Sequence, residues 1–231
     1  MKESFSLEYL KDIQLFSALN EAELLKLQER MKVKEFNKSE TILHEEDTNE
    51  FMYIVLTGKV KALKITEDGK EIILAIHQAG DFFGELTLID GKTSPASVIA
   101  AESSIVALIS KADFNEILFT QNKVLKNLLH IFCARQRKSW ETIQVLNFNN
   151  ASQRVKMFFL SLIGEYGNKA AEGIILNIKL THQDISDMSG LTRETVTRVM
   201  DKLQKNNEIT LMKNNFIRLN HSLINQNNRE F

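Results

Sequence analysis

Residues that could bind an anion occur in the stretch FGELTLIDGKTSPASV, which runs from Phe83 to Val98. Gly84 and Glu85 follow a strand-like run at a point where a short helix could begin, and the free N–H groups at a helix N-terminus favour a negative charge. The second half of the stretch suits an anion less well, because Lys92 is its only cation after Gly84 and Pro95 has no N–H to donate. Three alternatives stay open: a phosphate-type ligand, another ligand, or none.

A second group of residues is typical of a helix-turn-helix, in the segment THQDISDMSGLTRETVTRVMDKLQKNN that begins at Thr181. Thr181 and Asp184 have the spacing of a capping box, with Asp in place of the usual Glu. Gly190 lies in the turn, where a left-handed backbone is easiest, and Thr192 caps a second helix. The spacing i, i+3, i+4, i+7 predicts that the buried face of this helix consists of Val196, Val199, Met200 and Leu203.

The opposite face of the second helix carries residue types that read bases in the major groove of DNA. Arginine is bidentate to guanine, glutamate accepts from cytosine N4, threonine contacts the thymine methyl, and lysines meet phosphates. We therefore predict a DNA-binding surface of Thr192, Arg193, Glu194, Thr197, Arg198, Lys202 and Lys205. A solvated helix face or a protein-binding winged helix are the alternatives.

A wing is predicted after the second helix. Two short strand-like runs, Ile209–Met212 and Phe216–Leu219, flank the turn Lys213-Asn214-Asn215. Asparagine tolerates the positive φ that such hairpins require.

Composition narrows the class of protein that carries these residues. The chain has 231 residues, 43% hydrophobic and 26% charged, with a net charge of −1, which is ordinary for a protein with a buried core. From Ala151 to Phe231 there are eleven Lys/Arg against eight Asp/Glu, and this mildly basic rear segment fits nucleic-acid contact weakly.

The cysteine count and the hydropathy exclude other classes. Cys133 is the single cysteine, which excludes a disulfide within the chain and a four-cysteine zinc or iron–sulfur site. The charged N-terminal segment is unlike a signal peptide, and no apolar run approaches the roughly 18 residues of a membrane span. We expect a cytoplasmic protein without membrane contact. Since no nucleophile–base pair, metal-spaced cluster or P-loop occurs, we do not expect an enzyme.

The elements that must position the first stretch are short strands. Five of the nine glycines fall between Gly58 and Gly91, and turn residues separate β-rich runs, which predicts an antiparallel sandwich, barrel or roll. The predicted strands are Met52–Thr57, Val60–Ile65, Glu71–Ile76 and Ala96–Ile109. A helix over Asn20–Met31, capped by Asn20, precedes them.

Between the two segments, residues 111–147 contain no glycine or proline and predict one long helix. Leu118, Leu125, Phe132, Ser139 and Leu146 recur at steps of seven, and Leu128, Leu129 and Ile143 widen the stripe. A near-heptad seam predicts a coiled-coil homodimer, and the alternative is a helix packed on its own domain. After it, the pattern predicts a helix over Gln153–Tyr166, a loop over Gly167–Gly173 and a strand over Ile174–Ile178.

The order of these parts defines an α+β fold. We expect a β-roll sensor domain over residues 1–110, a dimerisation helix over 111–147, and a winged helix-turn-helix over 148–231. The dimer seam is predicted to consist of Leu118, Leu125, Leu128, Phe132 and Ile143.

Three motifs in this order resemble the CRP/FNR (catabolite activator/fumarate-nitrate regulator) family of bacterial transcription factors: YIVLTGKV (Tyr53–Val60), GDFFGELTLIDG (Gly80–Gly91) and LTRETVTRV (Leu191–Val199). The resemblance implies a jelly-roll-like domain of the cyclic-nucleotide-binding type and half-sites of the TGTGA type, read by Arg193, Glu194 and Arg198. The oxygen-sensing branch lacks an arginine at the position of Arg193 and prefers TTGAT. A symmetric dimer would read an inverted repeat, and the loop Gly164–Gly173 would contact RNA polymerase.

The same resemblance argues against cyclic AMP as the effector. Gly84 and Glu85, followed by Leu86, match the family's pocket, but Ser94 and Pro95, before Ala96, stand where the family has its phosphate-binding arginine and serine. Ala75 replaces a pocket serine, and Ser139 and Trp140 align with a threonine and a serine near the purine. A buried phosphate without a cation is costly, and Lys92 could supply only a point charge.

Other effectors are left open by the sequence. The family's iron–sulfur branch needs an N-terminal cysteine cluster, which is absent, whereas a haem ligand among His44, His77 and His130 is not excluded. Trp140 either fills the pocket or stacks on an aromatic ligand. We therefore expect a regulator gated by an effector other than cyclic AMP, or constitutively active. A cyclic-nucleotide- or haem-responsive regulator and a β-roll sensing or protein-docking module are the alternatives.

Overall fold

The computed structural model of the chain describes residues 6–69, 71–213 and 216–227. The chain forms two compact units, Met1–Arg135 and Gln136–Phe231. No helix within the described ranges is both long and apolar enough to cross a membrane.

The first unit begins with two helices, α1 (Leu7–Asp12) and α2 (Glu21–Arg30). The predicted cap of α2 is confirmed as a full capping box: Asn20 Oδ1 accepts from Glu23 N at 3.0 Å, and Glu23 Oε2 accepts from Asn20 N at 2.8 Å. Two of the four free N–H groups of this helix start are thereby satisfied by neighbours in sequence.

Within the described residues, eight strands follow and form two antiparallel four-stranded sheets, which confirms the predicted roll. The sheet orders are β1-β8-β3-β6 and β2-β7-β4-β5. The strands are β1 (Lys32–Phe36), β2 (Thr41–Leu43), β3 (Phe51–Thr57), β4 (Lys59–Ile65), β5 (Glu71–Gln78), β6 (Phe82–Phe83), β7 (Ser97–Ala100) and β8 (Ser104–Ser110). A short helix, α3 (Glu85–Asp90), lies between β6 and β7.

Both faces of β3 are buried, in two different cores. Met52 and Ile54 pack against α1, α2 and the helices that follow the roll, whereas Tyr53 and Val55 pack between the two sheets. Side chains of a strand alternate between its faces, so a strand covered on both sides is apolar throughout. This explains why the run from Phe51 to Leu56 has no polar alternation.

The single strand predicted over Ala96–Ile109 is wrong. The segment forms β7 and β8, which belong to different sheets. The chain turns at residues 101–103, where Ser104 Oγ donates to Glu102 O at 2.8 Å and accepts from Lys59 N at 3.1 Å. The polar residues Glu102, Ser103 and Ser104 mark this turn in the sequence, and the predicted strand wrongly continued through them because apolar residues resume at Ile105.

The single long helix predicted over residues 111–147 is also wrong. The segment forms α4 (Lys111–Thr120) and α5 (Asn122–Leu146), which are separated at Gln121 with φ −121° and ψ 82°. The break allows Phe114 on α4 and Val124 and Leu128 on α5 to enter the same core. No glycine or proline marks it in the sequence, and α5 crosses the division between the two units.

The second unit is a helix-turn-helix with a small antiparallel sheet of order β11-β12-β10-β9. Its elements are α6 (Ala151–Ser161), α7 (Ile163–Tyr166), β9 (Gly167–Ala170), β10 (Gly173–Leu176), α8 (His182–Ser189), α9 (Arg193–Lys205), β11 (Ile209–Leu211), β12 (Ile217–Asn220) and α10 (His221–Asn227). The winged helix-turn-helix is confirmed, with β11 and β12 as the wing hairpin. Asn214 and Asn215 of the predicted turn lie outside the described residues.

Two local predictions in this unit need correction. The helix predicted over Gln153–Tyr166 is interrupted at Leu162, which separates α6 from α7. The predicted loop Gly167–Gly173 contains β9, which pairs with β10. In this pairing Gly167 of β9 lies opposite Leu176, and Ala170 of β9 lies opposite Gly173. Small and polar residues favour a loop, but pairing with an apolar neighbouring strand overrides that local preference.

Candidate DNA-binding surface and effector region

The helix-turn-helix is assembled by caps at both ends of α8. Thr181 Oγ1 accepts from Asp184 N at 3.0 Å and Asp184 Oδ2 accepts from Thr181 N at 2.9 Å, so the predicted capping box is present. Gly190 ends α8 in the left-handed region at φ 64°, and its N–H donates to Ser186 O. This C-cap turns the chain directly into α9.

The first turn of α9 is held by Thr192, whose Oγ1 accepts from Thr195 N at 3.2 Å. The predicted inner face is buried, and its members are Val196, Val199, Met200 and Leu203. Burial of this face fixes the rotation of the helix about its axis. The residues on the opposite side are consequently presented to solvent.

Five of the predicted DNA-binding residues are exposed on α9: Arg193, Glu194, Arg198, Lys202 and Lys205. Arg198 Nη2 donates to Thr195 Oγ1 at 3.3 Å, a single bond at the helix surface. Most of the hydrogen-bonding capacity of these side chains faces water, which makes them available to a nucleic acid. The helix N-terminus adds free N–H groups that favour a phosphate.

Thr197 differs from the other predicted base-reading residues because its hydroxyl already has partners within the protein. Thr197 Oγ1 donates to Arg193 O at 3.0 Å, and His182 Nδ1 lies 2.9 Å from the same oxygen. His182 was not singled out in the sequence, since nothing local relates it to a residue fifteen positions later.

Arg154 is a second residue that the sequence did not reveal. Its Nε and Nη2 donate to Phe148 O at 2.9 and 2.6 Å, and Nη1 donates to Ser189 O at 3.4 Å. The guanidinium therefore ties the chain before α6 to the last residue of α8. It satisfies two backbone carbonyls that would otherwise lack a donor.

In the first unit, the Gly84 turn is built around a buried asparagine. Gly84 has φ 80°, and a Cβ there would lie 2.8 Å from Tyr53 Cδ2 and 2.9 Å from Asn49 Nδ2. Asn49 Nδ2 donates to Gly84 O at 3.0 Å, while Asn49 Oδ1 accepts from Tyr53 Oη at 3.1 Å. Glycine is required here both by backbone conformation and by space.

Glu85, the first residue of α3, is held by a residue of the same chain. Its side chain is 3% exposed, and Arg135 Nη1 donates to Glu85 Oε1 at 2.8 Å. Arg135 Nη2 donates to Phe82 O at 2.6 Å, and the guanidinium carbon lies 4.4 Å from the centroid of the Phe82 ring. Burial raises the pKa of Glu85, and the charge of Arg135 opposes that rise. The sequence pattern did not identify Arg135.

In the second half of the loop, the hydroxyl of Ser94 bonds to the backbone of the same loop. Ser94 is buried and its Oγ donates to Ala96 O at 2.8 Å, so the hydroxyl already has an internal acceptor. Ala96 is buried, whereas Leu86 and Pro95 are exposed. Lys92 is also exposed.

The remaining predicted effector residues belong to different units of the chain. Ala75 lies on β5 opposite Ala62 of β4, while Ser139 and Trp140 are exposed residues of the second unit. The grouping of Ser139 and Trp140 with the roll therefore stays a prediction. Of the histidines considered as haem ligands, His44 and His130 are exposed, and the ring of His77 stacks on Phe83 at 5.7 Å between centroids.

The predicted dimer seam is only partly available on the surface. Leu125 and Ile143 are exposed and Phe132 is half-buried. Leu128 is wrong as a seam residue, because it is 2% exposed and packs in the core of its own unit. Leu118 lies on α4, not on α5, and its side chain is outside the described part of the structure.

Comparison with known proteins relates both units to one family. A family model for the cyclic nucleotide-binding domain matches residues 33–121, and a model for the Crp-like helix-turn-helix domain matches residues 153–221. These matches cover the roll and the winged unit described above.

Individual relatives agree with the family models. The chain is 31% identical over 183 residues to the global nitrogen regulator of Synechocystis sp., a match covering 78% of this chain and 81% of the relative. It is 29% identical to the fumarate and nitrate reduction regulatory protein of Vibrio cholerae, covering 88% of this chain and 82% of that protein. The solved structure of FixK2 from Bradyrhizobium japonicum is similar with a TM-score of 0.72 and 25% identity, covering 84% of this chain and 96% of that chain. The chain therefore belongs to the CRP/FNR family of DNA-binding transcriptional regulators.

Proposed function

We propose that the protein acts as a homodimer that reads an inverted repeat of TGTGA-type half-sites through α9. The observation that carries this proposal is the exposed set Arg193, Glu194 and Arg198 at the N-terminal end of a helix whose other face is buried. Two arginines and a glutamate match the acceptors of guanine and the amino group of cytosine in the major groove. Because the proposed target is DNA, we propose that the protein acts in the cytoplasm.

The lysines at the other end of α9 have a different role. Lys202 and Lys205 lie in the last turns of the helix and are exposed, away from the end that carries the base-reading residues. Contacts to phosphates orient the protein without reading sequence. We therefore assign affinity for any DNA to the lysines and discrimination to the arginines and Glu194.

Fluorescence anisotropy with an inverted TGTGA repeat and a scrambled duplex tests this division. Arg198→Ala should cost roughly 1–3 kcal/mol on the repeat and little on scrambled DNA, because a bidentate base contact is lost. Lys205→Ala is the matched control, and it should weaken both duplexes alike and reduce the salt slope by about one. An equal loss on both duplexes for Arg198→Ala would refute base reading by this residue.

We infer that α5 pairs with its copy through the exposed residues Leu125, Leu129 and Ile143 and the half-buried Phe132. Exposed apolar side chains repeating along a helix are typical of a coiled-coil seam. In sedimentation experiments, Leu129→Glu should shift the protein towards monomer. The control is Ala134→Glu, which changes an exposed residue about half a turn around the helix axis from Leu129 and should leave the dimer intact. Equal behaviour of the two variants would contradict the proposed seam.

We propose that the roll does not respond to cyclic AMP. Arg135 engages Glu85, Ser94 donates to Ala96 O, and Pro95 lacks an N–H. A cyclic phosphate bound here would lose the cation and donors on which its affinity depends. DNA titrations with and without cyclic AMP, with a metabolite panel and haem as further additions, test this. A strong increase in affinity with cyclic AMP would refute it.

We also propose that the hairpin of β9 and β10 contacts RNA polymerase. Lys169 and Glu172 are exposed at this hairpin, and exposed connections often carry interactions. Lys169→Ala should lower transcription at saturating DNA occupancy, which footprinting verifies in the same reaction. Undiminished transcription would refute the contact.

A further inference from the structure

We propose that His182 is a positioning residue of the base-reading surface, which orients Thr197 so that its methyl group reads the methyl of a thymine. The inference deepens the proposed function and rests on DNA reading by α9. By this proposal a residue of α8, the first helix of the motif, contributes to discrimination between base sequences.

The hydrogen bonds around Thr197 determine which atom donates. The single hydroxyl proton of Thr197 is donated to Arg193 O at 3.0 Å. His182 Nδ1 lies 2.9 Å from the same oxygen, and we infer that the imidazole is the donor, with a proton on Nδ1, because the hydroxyl has one proton to give. In this assignment the hydroxyl is held from two sides, by a carbonyl of its own helix and by α8.

This arrangement selects one rotamer of Thr197. A threonine in a helix ordinarily divides between two rotamers because its hydroxyl can bond to a carbonyl one turn earlier. The donor from His182 adds a second bond that only one of them makes. With the hydroxyl directed towards the protein, the methyl is the group left to meet a base edge.

The consequence for DNA is an apolar contact rather than a hydrogen bond at the base opposite Thr197. Only thymine carries a C5 methyl in the major groove among the unmodified bases. Burial of one such group corresponds to about 0.8 kcal/mol, or roughly a fourfold change in affinity. Uracil in place of thymine removes that group and leaves base pairing unchanged.

The experiment first selects a preferred site from random DNA with the wild-type protein, and then replaces each thymine of that site by uracil. One thymine of each half-site should show a loss of about fourfold per half-site. Thr197→Ser, which keeps the hydroxyl without the methyl, should bind thymine and uracil sites equally. His182→Leu should lower the thymine/uracil ratio towards one, because Thr197 is released.

The conservative variant separates positioning from folding. His182→Asn places an amide donor close to the position of Nδ1 and should restore the ratio, while His182→Ala replaces His182→Leu if the latter does not fold. The proposal would be overturned if His182→Leu and His182→Ala both kept the thymine/uracil ratio of the wild-type protein. It would also be overturned if the wild-type protein itself showed a ratio of one at every thymine. A selected site unlike TGTGA would refute the proposed half-site but still permit the uracil measurement.

Discussion

Loss of the ion pair between Arg135 and Glu85 should destabilise the first unit in a pH-dependent manner. Glu85 is 3% exposed and Arg135 34% exposed. Removal of one partner from a buried pair costs about 3–5 kcal/mol. Because water already reaches part of Arg135, we expect the lower end for Arg135→Met, about 3 kcal/mol at pH 7.5. For a chain of this length that corresponds to a fall in Tm of roughly 6–12 °C.

The direction of the pH dependence follows from the pKa of Glu85. Burial raises this pKa in the folded state, so the contribution of Glu85 to stability is complete below its unfolded value and is lost as pH rises through its folded value. Arg135 opposes that loss, and its removal raises the pKa further. The cost of Arg135→Met should therefore shrink towards pH 4, to roughly the 1 kcal/mol of a neutral hydrogen bond.

Urea unfolding of the full chain at pH 4 and 7.5, at one fixed protein concentration, measures this cost. Arg30→Met is the matched control, because Arg30 bonds to Asp113 and Glu116 at the surface, where such pairs contribute little. Adding Glu85→Gln to Arg135→Met should recover most of the stability at pH 7.5. An equal cost of Arg135→Met at both pH values would refute the assignment of its effect to the charge of Glu85.

Three further substitutions, two of them paired with a control variant, test the supporting structure by urea unfolding. Gly84→Ala should cost more stability than Gly91→Ala. Both glycines have positive φ, but an added Cβ meets Tyr53 and Asn49 only at Gly84 and finds no described atom within 4 Å at Gly91. Equal losses of stability would contradict the proposed crowding. Ser189→Ala should stabilise by about 1 kcal/mol, because the Ser189 hydroxyl is buried without a hydrogen-bond partner among the described residues and such a group is costly; a loss of stability would count against this. Lys156→Met should cost about 3 kcal/mol, because it leaves the buried carboxylate of Glu208 without its cation. Lys138→Met is its control, because it breaks a more exposed pair and should cost no more than about 1 kcal/mol.

The helix-turn-helix could be predicted from the sequence because short-range interactions determine it. The capping box of Thr181 and Asp184, the left-handed turn at Gly190 and the spacing of Val196 and Val199 each involve residues within a few positions of one another. Caps, turns and helical periodicity depend on backbone geometry that neighbouring residues supply. The exposed position of Arg193 and its neighbours followed from the buried face.

The strands of the roll were predictable as elements, but their boundaries and partners were not. The strand predicted over Ala96–Ile109 ran through the polar turn residues Glu102 and Ser103 because apolar residues lie on both sides of them. The order β1-β8-β3-β6 joins strands from opposite ends of the domain. The break at Gln121 contains no glycine or proline. It serves the shared burial of Phe114 and Leu128, which removed Leu128 from the predicted dimer seam.

The sequence by itself determined the order of the roll, the helical segment and the winged helix-turn-helix, the family motifs, and the residue types on the exposed face of α9. Only the tertiary structure decided that Arg135 pairs with Glu85 across 50 positions of the chain, and that His182 lies within hydrogen-bond distance of Thr197 across 15. The physical reason is range. Helix caps and periodicities arise between near neighbours, whereas the partner of a buried carboxylate or hydroxyl depends on which surfaces pack together once the elements have formed.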